Sequence, residues 1–303
     1  MPTKRNKAAL ALAGGLSALI LLSCAGNATP SPTATARRPS PTPPPPPPAA
    51  QAGEIWLHPI DEMALVYIPP GPFQMGAPAD DPLADPAEQP MREVYLDAYW
   101  IDQTEVTNGM YALCVLEGAC QEPAADVSLT RQDYYNNFAF SEYPVVNVSW
   151  EQAQTYCQWA GRRLPTEAEW EKAARGTDGR LYPWGNTPPN CNLLNFGNPG
   201  PGQGACSEDT TEVGRHPAGA SPYGALDMAG NVWEWVADWY SADAYQTGRG
   251  QNPTGPTSGT TKVLRGGAFS DGPNFVRAAN RHQTRPDTFS YFVGFRCALS
   301  ASP

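Results

Sequence analysis

Six cysteines, Cys114, Cys120, Cys157, Cys191, Cys206 and Cys297, constrain this chain more than any other feature, because the sequence ahead of them is an export signal. Lys4, Arg5 and Lys7 form a basic start, and Ala8 to Leu22 form an apolar stretch too short to span a bilayer comfortably. Ser23 then leads into Cys24, so residues 1–23 read as a signal peptide and Cys24 as the site of cleavage and lipidation. In an exported protein an even set of cysteines reads as a disulfide framework, although six allow fifteen connectivities. Cys114 with Cys120 and Cys191 with Cys206 each close a short loop that contains Gly or Pro, which leaves Cys157 with Cys297. With all three formed, no thiol of the domain is free for chemistry.

Residues 24–53 are rich in Pro, Ala, Ser and Thr, with an unbroken run from Pro43 to Pro48. Such a segment buries too little apolar surface to offset its ordering entropy, so a disordered or polyproline II stalk is expected. Extended, it would reach on the order of 80 Å at about 3.1 Å per residue. That leaves residues 54–303 as one domain. The formal charge of −10 opposes a phosphate-binding surface and excludes nucleic acid as a partner. The 9 Trp and 13 Tyr beside 28 Gly and 34 Pro predict a loop-rich fold held by aromatic burial.

Met63 to Met75 and Val94 to Ile101 carry strand patterns, the first broken by the turn signal Pro69-Pro-Gly-Pro72. Helical spacing runs over Glu105 to Leu116, with Thr104 as the expected N-cap. Ser149-Trp-Glu-Gln152 and Thr166-Glu-Ala-Glu169 are capping boxes that open helices ending at Gly161 and Gly176. Short strands follow at Val263–Leu264 and over Gly294 to Leu299. The order is α+β and not alternating βαβ, which disfavours a doubly wound nucleotide fold. The segment Gly200-Pro-Gly-Gln-Gly204 lacks the flanking strand and helix of a phosphate loop, and Ser270 has no His at a suggestive distance. His58, His216 and His282 are isolated from one another, match no zinc spacing, and read as surface or loop histidines.

Eight strings, taken in order, resemble the formylglycine-generating enzyme, or sulfatase-modifying factor, family. They are Ile68-Pro-Pro-Gly-Pro-Phe-Gln-Met-Gly76, Thr104-Glu-Val-Thr107, Tyr143-Pro-Val-Val-Asn-Val-Ser-Trp150, Arg163-Leu-Pro-Thr-Glu-Ala-Glu-Trp-Glu171, Tyr182-Pro-Trp-Gly-Asn186, Gly230-Asn-Val-Trp-Glu-Trp235, Arg265-Gly-Gly267 and Gly294-Phe-Arg-Cys297. The resemblance implies a C-type-lectin-like domain with little regular structure, and it supports the pairing of Cys157 with Cys297. It also implies an oxidase that converts a sulfatase cysteine to formylglycine with copper(I) on two cysteine thiolates placed soon after an Arg-Gly-Gly-Ser string. Here Ala268 stands at the serine position, Asp271 stands at the first metal-binding cysteine, and no Cys occurs between Cys206 and Cys297. Soft copper(I) selects sulfur, so copper is not expected on this chain.

The same resemblance implies structural calcium at Asp227, Gly230, Val232 and Glu234, a hard cation on two carboxylates and two backbone carbonyls. The rival is that Asp227 caps a turn while Glu234 pairs with Arg265 or Arg296. A second calcium is expected, more weakly, at Asn195, Phe196 and Asp209. Trp233, Trp235 and Trp239 read as core before ligand platform. Asp271, Asn274, Arg277, Arg281 and His282, with Asn280 and Arg285 nearby, read either as internal ion pairs or as a recognition groove for an acidic peptide or glycan. The function expected is therefore an extracytoplasmic lipoprotein that binds a peptide, protein or glycan, held to the membrane through its lipid alone. The alternative is a formylglycine-generating or divergent oxidoreductase.

Overall fold

The structure is a computed structural model, and it describes residues 45–47, 51–197 and 205–301. The segment read as a signal peptide, Cys24, most of the Pro-rich segment and the Gly200–Gly204 stretch lie outside the described residues. No helix among those described is long and apolar enough to cross a membrane.

One antiparallel sheet joins both ends of the domain. It is ordered β1 (Ile55–Leu57), β2 (Ala64–Ile68), β5 (Tyr99–Asp102), β10 (Ala298–Ser300). Alternation along its strands feeds two cores. Leu65, Tyr67 and Trp100 enter one, and Val66, Ile68, Tyr99 and Ile101 enter the other, as the period-2 geometry of a strand requires. β3 (Gly71–Met75) pairs with β4 (Arg92–Leu96), so the turn at Pro69 and Pro70 separates two strands of different sheets. The third sheet runs β8 (His282–Thr284), β7 (Lys262–Arg265), β6 (Trp233–Trp239), β9 (Val293–Phe295), with β6 and β9 parallel. The strand expected over Gly294 to Leu299 is thus two strands in two sheets, broken at Arg296 and Cys297. Of the tryptophans of β6, Trp233 and Trp235 are buried and Trp239 is half-buried.

The helices begin where their caps dictate. α2 (Trp150–Trp159) and α3 (Glu167–Arg175) each carry both hydrogen bonds of a capping box. α1 (Asn108–Leu116) starts later than its periodicity suggests. Its N-cap is Thr107, whose hydroxyl accepts from the Met110 amide, while Thr104 bonds to the Glu105 carbonyl. A one-turn helix, α4 (Ala244–Thr247), follows β6.

The three disulfides are Cys114–Cys120, Cys157–Cys297 and Cys191–Cys206. The second spans 140 residues and pins α2 to the segment between β9 and β10. Closing so long a loop is worth about 4 to 5 kcal/mol in the chain-entropy account. All six cysteines of the domain are thereby spent.

Candidate functional site

Helix α3 has the sequence of a charged surface helix, yet all nine of its residues are buried. The reason is a set of arginines from the segment after β7 and from β7 itself. Arg265 reaches Glu171 at 2.5 Å and Glu167 at 3.4 Å, and it also donates to the carbonyls of Ala278, Ala279 and Asn280. Arg281 grips Glu167 through two bonds of 2.6 and 2.9 Å. Arg277 grips Glu88 at 2.8 and 3.0 Å and touches Asp81 at 3.3 Å. Burial alone would raise the Glu167 carboxyl, but Arg281 and Arg265 beside it hold it below its ordinary value. Fork-on-carboxylate geometry of this kind offsets the desolvation of both ions.

The expected groove is therefore divided. Arg277 and Arg281 are 2% and 8% exposed and serve as internal struts, which corrects their reading as part of an acidic-ligand groove. Asn274 is exposed but does not line the cavity formed nearby, and Arg285 pairs with Asp287 on the surface. Asp271 and His282 are brought together, in a cavity of about 230 Å³ at the β6–β7–β8 end that also contains Trp233, Ser270, Thr284 and Ser290. The Asp271 Oδ2 accepts from the Ala268 amide at 2.9 Å. Burial raises the Asp271 carboxyl, opposed by the hydrogen bonds from Ala268 and Trp233. Burial lowers the His282 imidazole, opposed by Asp271, and its ring lies 5.1 Å from that of Trp233. No lysine or arginine lines the cavity, so its only anionic group faces no fixed cation there. These oxygen, imidazole and indole groups do not fit a bis-thiolate copper(I) ion, whose affinity depends on soft sulfur.

The calcium expectation is redrawn by the same accounting. The Glu234 carboxylate is taken by Arg296 at 2.7 and 2.8 Å and by the Trp170 indole at 2.8 Å, so the rival pairing holds and Glu234 is removed from the ligand set. Asp209 is likewise spent, accepting from Ser128, from both the amide and hydroxyl of Thr130, and from the Thr210 amide, with Arg131 at 3.2 Å. A second calcium on Asn195, Phe196 and Asp209 would have no free carboxylate. Elsewhere the buried side chains leave an acceptor unpaired: Glu105 is fully buried, its Oε1 takes the Asn231 amide at 3.1 Å, and its Oε2 has no partner. Burial pushes the Glu105 carboxyl well up, and the neighbouring Asp227 adds to this. Asp227 is also raised by burial, although it accepts from the Gly214 amide at 2.5 Å. Two buried carboxylates beside the Gly230–Val232 turn suit a hard cation, as does the unpaired Asn195 Oδ1 next to Asn231. Glu105 was missed because the sequence placed it at a helix start. Its signal was a Glu inside Thr104-Glu-Val-Thr107, ahead of the true N-cap.

His58 corrects a second expectation. It is 1% exposed, with Nδ1 3.2 Å from Asp61, in a buried cluster with Tyr156, Arg162 and Asp102. Arg162 and the Tyr156 and His58 hydrogen bonds overcome burial and lower Asp61 to about 2.

A family model described as a sulfatase-modifying factor enzyme 1-like domain matches residues 56–301. The formylglycine-generating enzyme of Thermomonospora curvata is 35% identical over 285 residues, covering 77% of this chain and 92% of that enzyme. The mouse formylglycine-generating enzyme is 32% identical over 291 residues, covering 81% of this chain and 77% of the other. Among solved structures, PvdO from Pseudomonas aeruginosa superposes with a TM-score of 0.70 at 25% identity, covering 83% of this chain and 100% of PvdO.

Proposed function

Because this chain belongs to the sulfatase-modifying factor enzyme 1-like family, we propose that it is a non-oxidising member: an extracytoplasmic lipoprotein whose domain binds a peptide, protein or glycan. The observation that carries the reading is the donor set of the cavity at Asp271 and His282. Every cysteine of the domain is in a disulfide, and the cavity offers oxygen, imidazole and indole instead. A carboxylate among hydroxyls and an indole, with no arginine, suits a group that donates hydrogen bonds: a basic side chain or a sugar hydroxyl. The partner surface is then read as basic or neutral and not as acidic. Cys24 supplies the lipid anchor and residues 24–53 the tether, which keeps the domain at an extracytoplasmic membrane face.

Calcium belongs to this reading as a structural ion, held by Glu105 and Asp227 with the Gly230–Val232 turn. It would neutralise two carboxylates that burial otherwise drives to protonation. An ion bound only to the folded state raises the thermal midpoint, so excess calcium is expected to stabilise the full chain relative to chelator. Glu105→Gln should remove that difference. An equal midpoint with calcium and with chelator in the unsubstituted protein refutes the ion.

A second reading, formylglycine-generating oxidoreductase, is favoured by the 35% identity across 92% of the Thermomonospora enzyme. One assay separates the two. The full chain is incubated with copper(I), oxygen and a Cys-x-Pro-x-Arg peptide, and the peptide mass is followed. Unchanged peptide is the expected result, and conversion of the thiol to the aldehyde overturns the proposal.

A further inference from the structure

A larger cavity, of about 540 Å³, opens at the far end of β6 from Trp233 and shares no lining residue with the cavity at Asp271. Its volume lies in the range of small-molecule sites. Its walls are the start of α3, the end of β6, α4 and the loop over residues 249–257. Three polar groups on it have capacity left over.

The first is Arg92 on β4. Its Nη1 donates to the Gly248 carbonyl at 2.7 Å, while its Nη2 donates no hydrogen bond and it forms no ion pair among the described residues. Glu167, which also borders this cavity, is already neutralised by Arg281 and Arg265. The second group is Asp238. Its Oδ2 accepts the Glu167 amide at 2.9 Å and so caps α3, while its Oδ1 takes no protein hydrogen bond and lies against Gly255. A β-carbon at Gly255 would come within 2.9 Å of that oxygen, and Gly255 holds φ at +67°, so this approach needs glycine. Burial, and then the charge of Glu167, push the Asp238 carboxyl up to about 8, which makes it a hydrogen-bond donor at neutral pH. The third group is Arg249, exposed at the rim and without an ion pair among the described residues. Against these stands one free carboxylate, Asp243, exposed and accepting from Ser241.

We propose that this cavity is a second binding site, for a small ligand with an oxyanion head, a carboxylate or a phosphate, gripped by Arg92 and Asp238 and drawn in by Arg249. The Arg92 Nη2, which donates no hydrogen bond among the described residues, can donate to an oxygen of either group, and a protonated carboxyl lining the same cavity donates a further bond. Met75 and Ala168 on the floor give the rest of the ligand an apolar seat. The site is independent of the cavity at Asp271, so failure of either reading leaves the other standing.

The test is calorimetric titration of the full chain with succinate and, separately, with inorganic phosphate. The proposal expects saturable one-to-one binding of at least one probe, and the preferred probe identifies the head group. Arg92→Gln should weaken that binding about tenfold or more, the loss of one charge-assisted pair, and Arg92→Lys should restore part of it. Should Arg92→Gln not fold, Arg249→Gln on the exposed rim reads the same site and should weaken binding several-fold. Binding that is unchanged in a folded Arg92 variant, or unchanged in Arg249→Gln where the former does not fold, overturns the proposal. So does a failure of both probes to bind.

Discussion

Two regions of the domain differ in how their charges are used. In the buried frame four carboxylates meet arginines: Glu167 and Glu171 with Arg265 and Arg281, Glu88 with Arg277, Glu234 with Arg296. In the cavity at Asp271 and His282, the carboxylate meets only an amide, an indole and an imidazole. In the frame, removing one partner strands the other in low dielectric. In the cavity, Asp271 is half-buried and has no arginine to strand.

The sharpest break of this contrast is Glu171→Ala. It strands Arg265 and Arg175 and removes the acceptor of the Gly76 amide, so chemical denaturation should show a loss of about 3 to 5 kcal/mol. Next is the double change Cys157→Ala with Cys297→Ala, which releases the 140-residue loop and should cost about 2 to 5 kcal/mol in the same measurement, the upper end being the chain-entropy value. A third change probes titration in the frame. Asp238 holds its proton up to about pH 8 when folded, whereas the unfolded side chain releases it near pH 4, so its contribution is full below about 4 and is lost as pH rises through 8. Asp238→Asn should therefore flatten the stability profile between those limits, against a ceiling of about 1.4 kcal/mol per pH unit for one proton. The smallest effect belongs to the cavity. Asp271→Ala should change stability by less than about 1 kcal/mol while abolishing partner binding. A loss as large as that of Glu171→Ala would erase the distinction between frame and cavity.

Much of the frame was legible because its signals are local. The capping boxes at Ser149 and Thr166 fix two helices through a hydroxyl and a carboxylate three residues apart, and both form as read. Two cysteine pairs followed from their short loops and the third from what remained, with support from the family resemblance, and all three are observed. Arg277 and Arg281 were harder. They sit on irregular backbone where no periodicity separates inward from outward residues, and their partners lie 189 and 114 residues away. Glu234 and Glu105 show the same limit in reverse, since which carboxylate stays free depends on which one Arg296 reaches. The break between β9 and β10 was hidden because Phe295 and Ala298 are both buried, and continuous burial looks like one strand.

The proposed function rests on the absence of a thiolate pair from the cavity at Asp271 and His282. Its most direct test is copper retention: the Cys24→Ser form of the full chain is loaded with copper(I), exchanged against a competing chelator, and weighed by native mass spectrometry. The account predicts the metal-free mass, with all six domain cysteines still oxidised. One copper per chain, held together with a reduced cysteine pair, would contradict it.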